Sequence, residues 1–231
     1  MEGMLLLDKP AGWTSFDVVN YVRKLAAAAE GKKPKNVKVG HTGTLDPFAT
    51  GLLVLLVGKN YTRRAGELSK IDKTYEVTMR LGEVSSTGDP EGEIMPVADA
   101  PVPSREAIEE AAQRFVGEIE QIPPIYSAIK VDGQRAYKLA RAGKPVTIEP
   151  RKVTIHHLEV LDYAYPEVKF VVEVSSGTYI RTLVEDLGKA LGSGAYTTAL
   201  NRTKVGRFSL AEASEVNKSL NVESLRLQPL F

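Results

Sequence analysis

The chain has 231 residues, enough for one large domain or two small ones, and 43% of them are hydrophobic, enough for a sizeable core. With no cysteine and only three histidines (His41, His156, His157), it has no disulfide, thiolate metal site or cysteine nucleophile and is a poor source of a histidine-rich metal site. Thirty basic against 29 acidic residues give a net charge of +1, and the longest apolar run, Leu52 to Val57, falls far short of a membrane span.

Met4 to Asp8 predicts a short strand, too brief and too soon followed by Asp8 for a secretory leader, so a cytoplasmic protein is expected. Lys9 to Gly12 reads as a turn, after which Thr14 or Ser15 caps a helix carrying Val18, Val19, Val22, Leu25 and Ala26 at helical spacing. Lys59 to Lys70 predicts a helix. Thr74 to Gly82 is the clearest strand, alternating Tyr75, Val77, Met79 and Leu81 with polar residues. Ser104 caps a helix to about Phe115, and Gln134 to Ala142 predicts a short basic one. Arg151 to Tyr163 reads as a strand whose apolar phase changes at His156-His157, which predicts a bulge. Val168 to Ser175 alternates again, Ser176-Gly177-Thr178 opens an amphipathic helix to about Leu191, and Val205 to Leu210 predicts a last strand. Strands that come in runs, mixed with helices, point to an α+β fold.

Charge is uneven along the chain. Ten acids against Arg105 and Arg114 give −8 between Glu83 and Glu120, while seven basic residues against Asp132 and Glu149 give +5 between Gln121 and Lys152. This fits either a basic face for a polyanion or ordinary solvated helix faces.

The chemistry-bearing stretch runs from Gly40 to Gly58. Its first half, Gly40-His41-Thr42-Gly43-Thr44-Leu45-Asp46-Pro47-Phe48-Ala49-Thr50-Gly51, is polar and punctuated by glycine; its second half is apolar. Asp46 is the one carboxylate in it, and the proline that follows biases it toward extended backbone. It reads as a positioned catalytic carboxylate or as a loop aspartate in an Asx-type turn. The stretch lacks the Gly-Lys-Ser/Thr ending of a phosphate-binding loop and the serine of a nucleophile elbow. Arg181 stands in the first turn of its helix, where the macrodipole disfavours a cation, with Glu185 at i+4 in the less favourable order. An anion from elsewhere would explain it; a solvated arginine at a helix edge is the alternative. Tyr75 and Tyr179 are core or stacking tyrosines, Lys9 a surface or site lysine, and His41 a stacking, titrating or merely hydrogen-bonded loop histidine.

Together these segments resemble the bacterial tRNA pseudouridine-55 synthase family of the TruB type. The likeness rests on Gly40 to Gly51, Asp8-Lys9-Pro10, Lys73-Thr74-Tyr75, Ile122 to Lys130 and Gly177-Thr178-Tyr179-Ile180-Arg181-Thr182, in the family's order. It implies a pseudouridine synthase fold: a large mixed, mostly antiparallel sheet flanked by helices, with the active-site cleft across it. It implies an isomerase that breaks the C1′–N1 bond of a T-loop uridine of tRNA and rejoins the sugar through C5, with no cofactor or metal. Residues 1–231 would form a single catalytic domain, with the family's C-terminal RNA-binding (PUA) domain absent or reduced. Asp46 would be the catalytic carboxylate, as nucleophile or base, with Arg181 as its partner and Tyr75 stacking on the target base. His41 would fill the space left by the flipped nucleotide, and Lys9 and Tyr179 would line the pocket. Lys130, Lys138, Arg141 and the basic segment Lys32 to Lys38 would meet RNA phosphates. No membrane and no obligatory protein partner is implied, and a monomer is expected.

The chain departs from the family's pattern at Ser85-Ser86-Thr87, at Leu200-Asn201-Arg202, and in a lengthened loop from Ala26 to Asn36. These departures are expected to leave the catalytic set untouched.

Overall fold

The run Met4-Leu5-Leu6-Leu7 lies in β1 (Gly3–Lys9), which is followed by α1 (Ser15–Ala29), β2 (Val39–His41) and β3 (Thr50–Val57). The computed structural model describes residues 1–127, 129–131, 133–142, 145–217 and 225–229, and of residues 130, 131, 135, 137, 138 and 141 the backbone alone. The chain forms two compact units, Met1–Glu76 with Leu200–Phe231, and Val77–Ala199.

In the first unit β1 and β3 are antiparallel, from Gly3 opposite Val57 to Lys9 opposite Gly51. Both strands are unbroken apolar runs because both of their faces are covered. Leu5, Leu7, Leu53, Leu55 and Val57 meet Val18, Val22 and Ala26 of α1. Met4, Leu6, Leu52, Val54 and Leu56 meet Leu68, Val205 and Phe208. Burying each such side chain contributes about 1.5–3 kcal/mol, so these strands are the rigid floor of the unit. α1 starts at a complete capping box: the Thr14 hydroxyl accepts from Asp17 N–H and the Asp17 carboxylate accepts from Thr14 N–H. The helix expected over Lys59 to Lys70 is instead two short pieces, α2 (Lys59–Thr62) and α3 (Ala65–Ser69). β4 (Lys73–Leu81) has the expected alternation, with Lys73, Tyr75, Val77, Met79 and Leu81 buried.

The second unit contains the C-terminal half of β4, the hairpin β5 (Glu83–Ser85) and β6 (Ile94–Pro96), then α4 (Arg105–Gln113) and β7 (Gly117–Gln121). β8 (Lys130–Val131) and β9 (Gln134–Arg135) make a small hairpin before α5 (Ala136–Arg141). β10 (Arg151–Ala164) and β11 (Glu167–Val174) form a long antiparallel pair with a register shift between Ile155 and His157, where the apolar phase changes. α6 (Ile180–Ala190) leads to β12 (Ala195–Val205).

β12 crosses from the second unit to the first, which β13 (Phe208–Ser209) and β14 (Ser214–Glu215) complete. The last strand expected over Val205 to Leu210 is thus only the end of β12 and a two-residue return. Strand order is β14-β1-β3-β12 in the first unit and β12-β4-β11-β10-β7 in the second, within one mixed sheet that also takes in β2 and β13. The pairs β1–β3, β2–β3, β10–β11, β10–β7 and β12–β13 are antiparallel, and β1–β14 and β3–β12 parallel. No helix among the described residues is long and apolar enough to cross a membrane.

Candidate active site

In the first unit Asp46 heads a tight turn. Its carbonyl accepts from Ala49 N–H at 3.2 Å, with Pro47 in the position whose fixed φ suits a turn. Both neighbours of Asp46 are fastened. The buried Ser15 hydroxyl accepts from Leu45 N–H at 2.8 Å and donates to Leu45 C=O at 3.0 Å. Pro47 C=O accepts from Gly12 N–H at 2.8 Å and from the Lys9 ammonium at 3.2 Å. The entry to the turn is held by Arg202, whose fork donates to Leu52 C=O at 2.7 Å, Gly43 C=O at 3.1 Å and Thr44 C=O at 3.3 Å. Asp46 itself is half-buried, on a backbone fixed on three sides.

Lys9 is fully buried and its ammonium also donates to Pro10 C=O at 2.8 Å and Trp13 C=O at 2.7 Å. Its three acceptors are all backbone carbonyls around the turn. Burial lowers its pKa to about 8; the nearby Asp46 carboxylate works against that shift and the Arg202 guanidinium adds to it. Lys73 is likewise lowered to about 8 by burial first and Arg202 second, with its ammonium donating to Ser69 C=O and Ile71 C=O. His41 ends β2, half-buried, and Tyr75 is 7% exposed on the buried face of β4.

In the second unit Arg181 is 4% exposed, which removes the solvated alternative. A carboxylate beside it is Asp89, 3.2 Å from Nη1 and equally buried; Nη1 also donates to Thr87 C=O at 2.7 Å and Nη2 to Tyr126 C=O at 2.9 Å. Asp89 is in turn held by the Thr87 hydroxyl at 2.6 Å and Glu91 N–H at 3.0 Å. Tyr179 caps α6 with its backbone fixed by Gln121, whose side chain accepts from Tyr179 N–H at 2.8 Å and donates to its C=O at 3.0 Å. Burial raises the pKa of Glu185, one turn on from Arg181. The side chains of Lys130, Lys138 and Arg141 lie outside the described residues.

The candidate residues therefore fall into two groups, each within its own unit: Lys9, His41, Asp46 and Tyr75 in the first, Tyr179 and Arg181 in the second. Asp89, Ser15, Gln121 and Arg202 hold the backbone or side chains of these segments, and spacing did not reveal them. Of the departures expected to leave the proposed catalytic set untouched, the one at Thr87 contacts it: the Thr87 carbonyl accepts from Arg181 and its hydroxyl donates to Asp89. Arg202 bonds Gly43 and Thr44, ahead of Asp46.

The chain matches a crystal structure titled as a Cbf5-Nop10-Gar1 complex at a TM-score of 0.69 and 32% identity, over 93% of this chain and 52% of that one. A second match is a structure of an H/ACA RNP bound to a substrate RNA containing 2′-deoxyuridine. Its TM-score is 0.66 and its identity 29%, over 92% of this chain and 50% of that one. The chain thus spans about half the length of these solved chains.

Residues 31–180 match the TruB family pseudouridylate synthase N-terminal domain, and residues 181–225 the tRNA pseudouridylate synthase B C-terminal domain. The tRNA pseudouridine synthase B of Pseudomonas aeruginosa (strain UCBPP-PA14) is 48% identical over 92% of this chain and 67% of its own length. That of Azoarcus sp. (strain BH72) is 46% identical over 99% and 71%. The chain belongs to the TruB family of pseudouridylate synthases, which are isomerases.

Proposed function

We propose that this chain isomerises a uridine in the T-loop of tRNA, at position 55, to pseudouridine, with Asp46 as the catalytic carboxylate. The observation that carries the reading is the fastening of both neighbours of Asp46, by Ser15 on Leu45 and by Lys9 and Gly12 on Pro47, while Asp46 itself stays half-buried. A carboxylate held in one orientation before the substrate arrives needs no reorganisation as charge develops at the sugar. The names of the bacterial relatives support tRNA as substrate, and the substrate RNA in the H/ACA structure supports RNA as the ligand of the fold.

The reaction balances without an added reagent. The C1′–N1 bond breaks, N1 gains a proton, C5 bonds to C1′, and the hydrogen on C5 leaves to solvent. Asp46 acts at the anomeric carbon or on the sugar proton beside it. A uridine folded into the T-loop reaches such a group only when flipped out of its stack. His41, two residues from the glycine that opens the turn, fills the vacated space, and Tyr75 stacks on the displaced base. Arg181, clamped to Asp89 and two carbonyls, supplies a fixed positive charge.

Tritium release from tRNA labelled at uridine C5 tests this. Wild type should release one tritium per tRNA and Asp46→Ala none above background. Release by Asp46→Ala at the wild-type rate would remove Asp46 from the chemistry.

A further inference from the structure

In the first unit, a basic pocket of about 220 Å³ is lined by Arg23 of α1, Val39 and Gly40 of β2, Lys35, Val37 and Lys38 before them, and Thr62. Three cations and no carboxylate line it. Its volume is below that of pockets that enclose whole small molecules, and suits a single anionic group. It is anchored rather than a chance meeting of surface lysines. Arg23 donates to Val39 C=O at 3.3 Å and to Asn20 Oδ1 at 2.7 Å. Val37 and Val39, flanking Lys38, are buried in the core, and Lys35 sits in a one-turn 3₁₀ helix, Pro34–Asn36.

Phe16, at the start of α1, is 59% exposed, with the Arg23 guanidinium 5.8 Å from its ring centroid. Phe16, Asn20 and Arg23 fall at i, i+4 and i+7, on one helix face, and α1 turns its other face, Val18, Val22 and Ala26, to the core. A large exposed ring beside a guanidinium, ~10 Å along the axis from the start of a basic pocket, combines the two elements of single-stranded nucleic-acid binding, a stacking surface and an electrostatic cradle. Its placement is set from both ends. Ser15, next to Phe16, holds Leu45, and Gly40, which lines the pocket, adjoins His41 in β2.

We propose that this pocket binds one backbone phosphate of the substrate RNA strand beside the target nucleotide, with Phe16 stacking on a neighbouring unpaired base. The proposal rests on the functional reading above for the identity of the RNA, and its test is separable from that reading. A backbone phosphate fits because three cationic residues line one small space and an exposed ring lies beside it, and in single-stranded RNA each unpaired base comes with a neighbouring phosphate.

The test is the affinity of a T-stem-loop RNA across a salt series, with melting temperature as a check on folding. Lys35→Gln/Lys38→Gln changes two exposed side chains and keeps Arg23 in place. Its slope of log affinity against log salt should be shallower than that of wild type by up to about 0.7–0.9, the share of the single phosphate the pocket neutralises. Phe16→Ala should weaken binding by roughly tenfold without changing the slope, and Phe16→Trp should restore it, since base–aromatic stacking is worth about 1–3 kcal/mol. An unchanged slope in the double lysine variant overturns the phosphate site, and unchanged affinity in Phe16→Ala overturns the stacking. Wild-type tritium release together with an unchanged slope would sink the subsite and leave the functional reading standing. A shallower slope with no tritium release by wild type would support the subsite and sink that reading.

Discussion

The hydroxyl of Ser15 makes two hydrogen bonds to one residue, accepting from Leu45 N–H at 2.8 Å and donating to Leu45 C=O at 3.0 Å, and so ties the first turn of α1 to the residue before Asp46. Ser15→Ala leaves both buried backbone groups of Leu45 without this partner, a cost of about 1–3 kcal/mol. The expected result is a melting temperature several degrees lower and a single-turnover rate at saturating RNA reduced roughly tenfold or more, because a carboxylate displaced by even 1 Å loses its alignment. Loss of stability with an unchanged rate would mean that Ser15 supports the fold but not the orientation of Asp46.

Arg202 raises the same question at the other side of the turn. Its fork reaches three carbonyls, and no lysine can reproduce that geometry with one ammonium. Arg202→Lys should therefore behave like a loss, lowering the denaturant midpoint and the rate together. Recovery of wild-type rate by Arg202→Lys would show that positive charge, rather than the fork, is what the turn requires.

Much of the first unit was legible in the sequence. Met4 to Leu7 and Leu52 to Val57 are strands buried on both faces, and Thr14, one of the two candidate caps, is the residue that caps α1. β12 was not legible, because its buried positions include Thr197 and Arg202 beside Leu200 and Val205, so that no apolar alternation survives. Arg181 announced itself by standing where its own helix disfavours it, but Asp89 did not. It lies 92 positions earlier, and such a pairing is set by tertiary packing. Ser15 was readable as a helix cap, and its actual partner, Leu45, is thirty residues away.

The Arg181–Asp89 pair predicts a large effect from a small change. Asp89→Asn keeps the shape but removes the charge facing a buried guanidinium, and breaking a buried pair on one side costs about 3–5 kcal/mol. Thermal unfolding should show the loss. Arg181→Met with Asp89→Leu should recover part of it, because neither member of this pair is then left facing the other's absence. A double variant as unstable as the sum of the singles would show that the two residues do not act as a pair.

Lys9 and Lys73 predict how stability depends on pH. Each has a folded pKa of about 8 against an ordinary 10.5, lowered chiefly by burial. Between these values the unfolded chain binds more protons than the folded one, so stability rises with pH from about 8 towards 10.5. Below pH 8 both states are protonated and this contribution is flat, at its least favourable. Urea midpoints measured across this range should climb in wild type and climb less in Lys73→Met. An equal climb in both proteins would assign the pH dependence to other groups.

Two glycines in positive-φ backbone separate local strain from packing. Gly51, φ +100°, stands where β3 meets β12, and a Cβ there would come within 2.5 Å of Arg202 C=O and 2.7 Å of Arg202 N, backbone that cannot step aside. Gly88, φ +73°, precedes Asp89, and its nearest obstacle is Glu185 Oε1 at 2.7 Å, the end of a flexible side chain. Gly88→Ala should cost only the left-handed backbone, about 1–2 kcal/mol. Gly51→Ala adds an overpacking term of roughly 1–3 kcal/mol to its strain, and it displaces the strand that carries Arg202. Equilibrium unfolding should therefore rank Gly51→Ala well below Gly88→Ala in stability, and Gly51→Ala should also lose more rate in tritium release. Equal stabilities would mean that the β3–β12 contact yields more readily than its backbone spacing implies.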